Sequence, residues 1–367
     1  MRIALATDAW RPQVNGVVTT LTATAANLRW RGHDVKIIHP AECRSIACPS
    51  YPEIRLAVWP HAYVARELKV FRPHAIHIAT EGPLGMAVRR YCRTRGLPFT
   101  TAYHTRYPEY LAARWPIPRW ATYAGLRRFH GAATRTFVSS ASLEAQLKEQ
   151  GFSHLHRWCR GVDLTRFRPG TAHPMLAGLA RPILSYVGRV AVEKNLGAFL
   201  GLPVPGSKVV IGDGPEGTAL RARYPQAHFT GYKSAQELVQ LLSGSDVLVF
   251  PSLTDTFGLA MIEALACGVP VAAFPVPGPV DVLDPGVTGV MHEDLGRAIA
   301  GALALKRAAC VAAAAAFTWD AATSQFLAGL APIGAAAARA ALPLGRSSAM
   351  IGRMDARRAQ RQTGDAS

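Results

Sequence analysis

Val247, Leu248, Val249 and Phe250 form an unbroken apolar run. A turn at Pro251-Ser252 follows, then Thr254, Asp255, Gly258 and a second apolar stretch that closes at Gly268-Val269-Pro270. A short run with no polar alternation reads as a strand buried on both faces, which demands a parallel sheet covered by helices on each side. The second stretch is long enough for such a covering helix. The turn between them then lies at the carboxyl end of a strand, the edge where open α/β sheets bind ligands.

The same strand–loop–helix unit recurs along the chain. Ile3–Ala6 leads through a loop containing Asn15-Gly16 into a helical pattern ending near Trp30. Val35–His39, Ile54–Val58, Ala75–Ile78, Phe99–Ala102 and Thr136–Ser140 continue a first set of strands. Ile183–Val187, Val209–Ile211, Val247–Phe250 and Val271–Phe274 make a second. Between the sets, residues 168–180 are rich in Pro and Gly and weakly patterned, so a boundary falls there. The expectation is an α/β chain of two Rossmann-like domains: 1–170, then 180–330, followed at 331–367 by a C-terminal helix and a disordered basic tail. At 367 residues, 49% hydrophobic and 18% charged, the chain can fill two such cores. There is no GxGxxG after any predicted strand, so a nicotinamide or flavin site is not supported.

Several residues at the predicted carboxyl edges carry chemistry. Asp255 and Glu263 stand eight positions apart, one in the loop and one in the helix after it. Taken singly, Asp255 reads equally as a helix cap and Glu263 as an exposed helix residue. Glu263, however, sits amid Leu259, Met261, Ile262, Ala264, Leu265 and Ala266, and a carboxylate on so apolar a helix needs a partner. Unpaired amides at a helix start suit phosphate oxygens, and carboxylates suit sugar hydroxyls. Together they describe a nucleotide-sugar pocket, with the small hydroxylic Thr254 and Thr256 fitting a loop close to a ligand. Arg189 and Lys194 follow the strand Ile183–Val187 and are five residues apart, a spacing that can straddle a diphosphate. Gly212-Asp213-Gly214-Pro215 is a tight turn after the next strand, and His104 follows the strand Phe99–Ala102.

In order, His104, Arg189 and Lys194 within GR…EKN, GDGP, and the Asp255/Glu263 pair within TDTFG resemble the motifs of the retaining GT-B glycosyltransferases of the group 1, family 4 type. The wording is nearest to GDP-mannose-dependent α-mannosyltransferases and sulfolipid-synthase-like enzymes. The resemblance covers about residues 1–330. It implies two Rossmann-like domains facing across a cleft, with Glu263 on the donor ribose, Asp255 near the donor sugar and His104 contacting the transferring sugar. It implies Arg189 and Lys194 on the diphosphate, and GDGP (Gly212, Asp213, Gly214) lining the base. Asn15 and Gly16, with Thr256, Phe257 and Gly258, complete the donor-binding set. It further implies hexosyl transfer with retention, best matched to GDP-mannose as donor and a lipid or glycan hydroxyl as acceptor, with no metal or cofactor required. The family more often has Glu where Asp255 stands, and Asn where Arg160 opens Arg160-Gly161-Val162-Asp163. Two alternatives stay open: a UDP-sugar-dependent glucosyl or sulfoquinovosyl transferase, and a non-catalytic protein that kept the fold. A phosphorylase would need a pyridoxal-phosphate lysine site, and no motif for one is present.

The formal charge of +17 is unevenly spread, since residues 1–170 hold 25 of the 41 Lys and Arg but 10 of the 24 Asp and Glu. Such an excess points to a polyanionic partner. In residues 111–131, Arg114, Arg119, Arg127 and Arg128 interleave with Trp115, Trp120, Tyr123 and Phe129. That mixture suits the headgroup region of an anionic membrane and equally a half-buried helix with Arg on its solvent face, and no nucleic-acid fold motif accompanies it. Six cysteines without CxxC or metal-type spacing read as reduced thiols. The expectation is a cytoplasmic protein in peripheral contact with the inner face of the plasma membrane.

Overall fold

The computed structural model describes residues 1–13, 15–48, 51–112 and 116–334, with 51–53 as backbone only. Its strands are β1 (Arg2–Ala6), β2 (Asp34–Ile38), β3 (Ser45–Cys48), β4 (Tyr51–Ala57), β5 (Ala75–Ile78), β6 (Thr100–Ala102), β7 (Arg135–Val138) and β8 (Leu155–Arg157). The second half adds β9 (Ile183–Val187), β10 (Ser207–Ile211), β11 (His228–Gly231), β12 (Val247–Phe250), β13 (Val271–Ala273) and β14 (Gly289–Met291). Two six-stranded sheets result, ordered β2-β1-β5-β6-β7-β8 and β11-β10-β9-β12-β13-β14, and every pairing within them is parallel. The second order is that of a dinucleotide-type Rossmann sheet.

The apolar runs account for this layout. Ile3 to Ala6 and Val247 to Val249 are completely buried, as strands covered on both faces must be. Helices cover them, and their starts are chemically marked. Asn15 Oδ1 accepts from Val17 N and Val18 N at 3.0 Å to cap the helix Gly16–Trp30. Ser234 and Glu237 form a capping box for Ala235–Gly244. In both sheets the strand order reverses beside the first strand, between β1 and β5 and between β9 and β12. A crevice opens at each reversal, at the carboxyl ends.

Two expectations about strands need correction. Ile54–Val58 is not part of the main sheet: β4 pairs antiparallel with β3 in a separate two-stranded ribbon. Arg55 is exposed between half-buried Ile54 and Leu56, an alternation that belongs to a one-sided strand rather than a doubly buried one. Nor is Thr136–Ser140 the last strand of the first sheet, because β8 pairs beyond β7. Leu-His-Arg is too short and too polar to register as an apolar run.

The chain then returns to its beginning. The helix Trp319–Gly329, capped by Thr318, places Phe326 in a core with Leu5, Leu21, Leu28, Phe137 and Trp158. Arg31 pairs with Asp320 at the helix start. Burying a side chain such as Phe326 fully contributes about 1.5–3 kcal/mol, so this helix is a substantial part of the first sheet's cover. The described part of the tail ends at Gly334; the basic tail expected beyond it lies outside the described residues.

Candidate functional site

The two carboxyl edges meet directly. Thr256 Oγ1 donates to His104 O at 3.1 Å, and Ser139 Oγ donates to Thr256 O at 2.6 Å. Asp281 accepts from Ser142 N at 2.8 Å and also from its hydroxyl. Gly16 lies across the same junction, since a Cβ there would sit 3.7 Å from Leu259 Cδ1. Gly16 and the His104 carbonyl on the first domain therefore lie against the TDTFG loop and its helix, while the Asn15 side chain caps its own helix.

On the second domain, the β9–β12 reversal gathers the acids and cations. Lys194 Nζ lies 2.5 Å from Asp255 Oδ1, and Arg189 lies 2.8 Å from Glu193 Oε1. Burial alone would push the Lys194 ammonium down, but Asp255, with the Tyr110 and Tyr186 phenols beside it, overrides this and keeps it protonated. Tyr110 comes from the first domain's helix Tyr107–Ala112, so that domain reaches the cation site too. Asp255 Oδ2 is buried with no partner among the described residues.

The GDGP turn packs against the Arg189 loop. Val190 N donates to Asp213 O at 2.9 Å, and Glu216 N to Val190 O at 3.1 Å. Gly212 has φ +137, and a Cβ there would lie 2.0 Å from Gly188 O, so only glycine fits. Asp213 itself is exposed.

Glu263 stands in the helix Leu259–Ala266, whose N-terminus has no side-chain cap. Among the described residues no side chain donates to its half-buried carboxylate. Burial pushes this carboxyl up to about 7. An acid left without a partner beside uncapped helix amides is equipped to take hydroxyl donors from a ligand. Gly258, at φ +88, makes the turn into this helix, and a Cβ there would strike Met261 and Phe250. Phe257 is placed differently from its neighbours: its side chain is in the core against Phe317, so only its backbone is available to a ligand.

His104 is held from behind. Arg160 Nη2 lies 3.2 Å from His104 Nδ1, while His104 Nε2 is buried with no partner among the described residues. Burial, then the charge of Arg160, holds the imidazole well below its usual range, so it is neutral. Arg160 itself escaped the linear reading as a site residue, since its partner is 56 positions earlier. A pocket of about 260 Å³ on the first domain, lined by Trp10, Arg11, Gln13 and Arg55 among others, was missed as well. Arg55 reaches it only because β4 belongs to the ribbon and not to the main sheet.

Among the described residues there is no group of three or more His, Cys, Asp or Glu placed to hold a metal, and no helix long and apolar enough to cross a membrane. Of the basic–aromatic stretch, Arg114 and Trp115 lie outside the described residues. Tyr123 and Phe129 are buried in the core, which corrects their reading as interfacial aromatics: they occupy the inward face of the helix Arg119–His130. Trp120 remains exposed.

Comparison with known proteins gives the same picture. Residues 14–166 match the model of Glycosyltransferase Family 4, and residues 181–305 that of Glycosyl transferases group 1. The chain is 31% identical over 316 residues to the GDP-mannose-dependent alpha-mannosyltransferase of Mycobacterium tuberculosis (strain CDC 1551 / Oshkosh), covering 79% of this chain and 83% of that one. It is 30% identical over 258 residues to sulfoquinovosyl transferase SQD2 of Arabidopsis thaliana, covering 65% of this chain and 50% of the other. The solved sucrose-phosphate synthase from Thermosynechococcus elongatus superposes with a TM-score of 0.70 at 22% identity, over 89% of this chain and 97% of its own, which shows a shared GT-B fold.

Proposed function

The chain belongs to the group 1 glycosyltransferases, nucleotide-sugar-using hexosyltransferases of GT-B fold, and within that family we propose that it moves a mannosyl unit from GDP-mannose, with retention of configuration, to a hydroxyl of a lipid or glycan acceptor. The observation that carries this is the pairing of Lys194 with Asp255 and of Arg189 with Glu193 at the β9–β12 reversal, with Glu263 on the helix that follows β12 and the His104 carbonyl bonded to Thr256, the residue after Asp255. The mannose assignment is supported by the mycobacterial relative's name and by its coverage of both domains.

In this reading the bond between the anomeric carbon and the β-phosphate oxygen breaks, and negative charge grows on the departing diphosphate. Arg189 and Lys194 oppose that charge more strongly as it develops, so they stabilise the transition state beyond the ground state. No divalent cation or other cofactor is required. Glu263 accepts from the ribose hydroxyls, and the GDGP turn lines the base. Asp255 Oδ2 and His104 Nε2 are an unmet acceptor and an unmet donor for hydroxyls of the transferring sugar. The acceptor's hydroxyl oxygen bonds to the anomeric carbon, and its proton leaves on the departing phosphate. The Trp10–Arg11–Arg55 pocket on the first domain suits an acceptor approaching from that side. We further propose a cytoplasmic protein that docks peripherally on anionic membrane through its basic first half.

Thermal stabilisation by GDP, GDP-mannose, UDP, UDP-glucose and ADP tests the donor. Stabilisation by GDP and GDP-mannose, reduced in Glu263→Ala, is the expected outcome. Stabilisation by UDP species alone would move the reading to the glucosyl or sulfoquinovosyl class that the plant relative represents. No stabilisation by any of them would overturn the catalytic reading.

A further inference from the structure

Among the described residues Arg160 is a buried cation with no carboxylate beside it. It is 4% exposed, and its guanidinium lies 4.4 Å over the ring of Trp158, which is itself completely buried. Its Nη1 donates to the carbonyls of Trp158 and Cys159, at 2.5 and 3.2 Å. Among the described residues its other side-chain partner is His104 Nδ1, 3.2 Å from Nη2. Burial pushes the guanidinium down to about 10, which still leaves it charged at neutral pH. A buried charge satisfied only by carbonyls and an imidazole is costly to keep, so its geometry asks for a reason beyond packing.

The reason follows from hydrogen-bond bookkeeping at the imidazole. An arginine has donors and no acceptor. Its contact with Nδ1 is a hydrogen bond only when Nδ1 carries a lone pair, so in a neutral ring the proton must sit on Nε2. That Nε2 is the buried atom without a partner, in a residue whose carbonyl already accepts from Thr256 on the facing domain. We infer that Arg160 is a positioning residue: it fixes His104 as the Nε2–H tautomer, so that the imidazole meets the bound sugar as an uncharged hydrogen-bond donor and not as a base. This rests on reading the cleft as the donor-sugar site. It also gives a role to the arginine that opens Arg160-Gly161-Val162-Asp163.

The neighbours of His104 do not supply an alternative lock. Among the described residues the charged or titratable groups that act on it are Arg160, His77 on β5 and His130 at the end of the helix Arg119–His130, while Asp255 precedes Thr256 on the facing loop. His77 Nδ1 bonds Thr100, and His130 is engaged by Thr101 and Glu81. Trp158 meets the His104 ring edge-on at 5.6 Å and leaves its nitrogens untouched.

The test is ring-nitrogen NMR on the full chain labelled with ¹⁵N-histidine and free of donor, with the His104 signal assigned by its loss in His104→Gln. The expected spectrum shows His104 as a neutral Nε2–H tautomer from pH 5.5 to 8. Arg160→Met should mix the tautomers and lower kcat about 10-fold or more, with little change in donor KM, as a mis-set imidazole does in other enzymes. Arg160→Lys, which can still donate to Nδ1, should restore the tautomer and much of the rate. An Nδ1–H tautomer in the parent protein overturns the inference even if Arg160→Met fails to fold. So does a pure Nε2–H tautomer in Arg160→Met, or mixed tautomers with an unchanged kcat. Failure of the donor panel would instead remove the glycosyl-transfer reading, an outcome the donor-free spectrum distinguishes.

Discussion

Lys194 Nζ and Asp255 Oδ1 form a 2.5 Å ion pair across the strand-order reversal of the second sheet, and the second carboxylate oxygen of Asp255 is buried and unmet. The pair joins two loops 61 residues apart, with side chains only 19% and 17% exposed. It has a consequence for the proposed reaction. With no donor bound, the cation meant for the diphosphate is already neutralised by the acid meant for the sugar. In the proposed reaction a bound diphosphate would share Lys194 with Asp255, loosening the carboxylate to accept a hydroxyl.

Lys194→Ala should therefore do two separable things. It should cut turnover about 100-fold or more, because a cation acting on a leaving diphosphate is felt most in the transition state. It should also lower stability by about 2 kcal/mol, because Asp255 keeps its burial and loses its counter-charge. Arg189→Ala should match the kinetic loss. Steady-state kinetics and thermal melts of both variants check this, and normal turnover in either would remove that residue from the proposed mechanism.

Glu263 should make stability pH-dependent in an unusual direction. Burial raises its carboxyl to about 7 from 4.5, so the folded protein binds more protons than the unfolded chain between those values. Its contribution is then most favourable below pH 4.5 and is lost as pH rises through 7. Glu263→Gln should remove this slope and stabilise the donor-free protein at pH 8 by up to about 3 kcal/mol. Donor binding should run the other way, tightening above pH 7 as the carboxylate becomes available to ribose hydroxyls. Parallel melting curves for parent and variant across pH 4.5–8.5 would show that another group sets the dependence.

The part of the site read most easily from the sequence is the part built from contiguous residues. Arg189 with Lys194, GDGP, and Asp255 with Glu263 each lie on one strand–loop–helix unit, where local spacing fixes geometry. Legibility failed where function depends on distant pairing. The Arg160–His104 contact joins positions 56 apart, and Arg31–Asp320 joins positions 289 apart. The ribbon of β3 and β4 was misassigned because Ile54–Val58 looks apolar until the exposure of Arg55 is known. β8 was invisible because three residues carry no periodicity. Phe257 sits inside a ligand-loop motif yet serves the core, a distinction that spacing does not encode.

Activity should survive excess chelator. In the proposed mechanism Arg189 and Lys194, each paired with a carboxylate at the β9–β12 reversal, would turn their two positive charges to the departing diphosphate in place of a divalent ion. Transfer assays after prolonged EDTA treatment should give the untreated rate. A loss reversed by Mg²⁺ or Mn²⁺ would mean that the two cations do not suffice.

Membrane contact should depend on Trp120. This ring is 73% exposed beside the exposed Arg119 and Ile117, at the start of the helix Arg119–His130. Tyr123, Leu126 and Phe129 on the same helix are buried and anchor it to the first domain, so the outward residues are presented on a fixed base. An amphipathic ring next to arginines suits the interface of an anionic bilayer, while the excess of basic residues in 1–170 supplies attraction that salt screens within about 10 Å at 0.1 M. The protein should co-sediment with phosphatidylglycerol vesicles, less so as salt is raised, and weakly with phosphatidylcholine alone. Trp120→Ala should weaken the phosphatidylglycerol binding several-fold while leaving the melting temperature unchanged, because so exposed a ring contributes little to folding. Equal binding to neutral and anionic vesicles would reject the electrostatic part, and undiminished binding by Trp120→Ala would move the contact to another face.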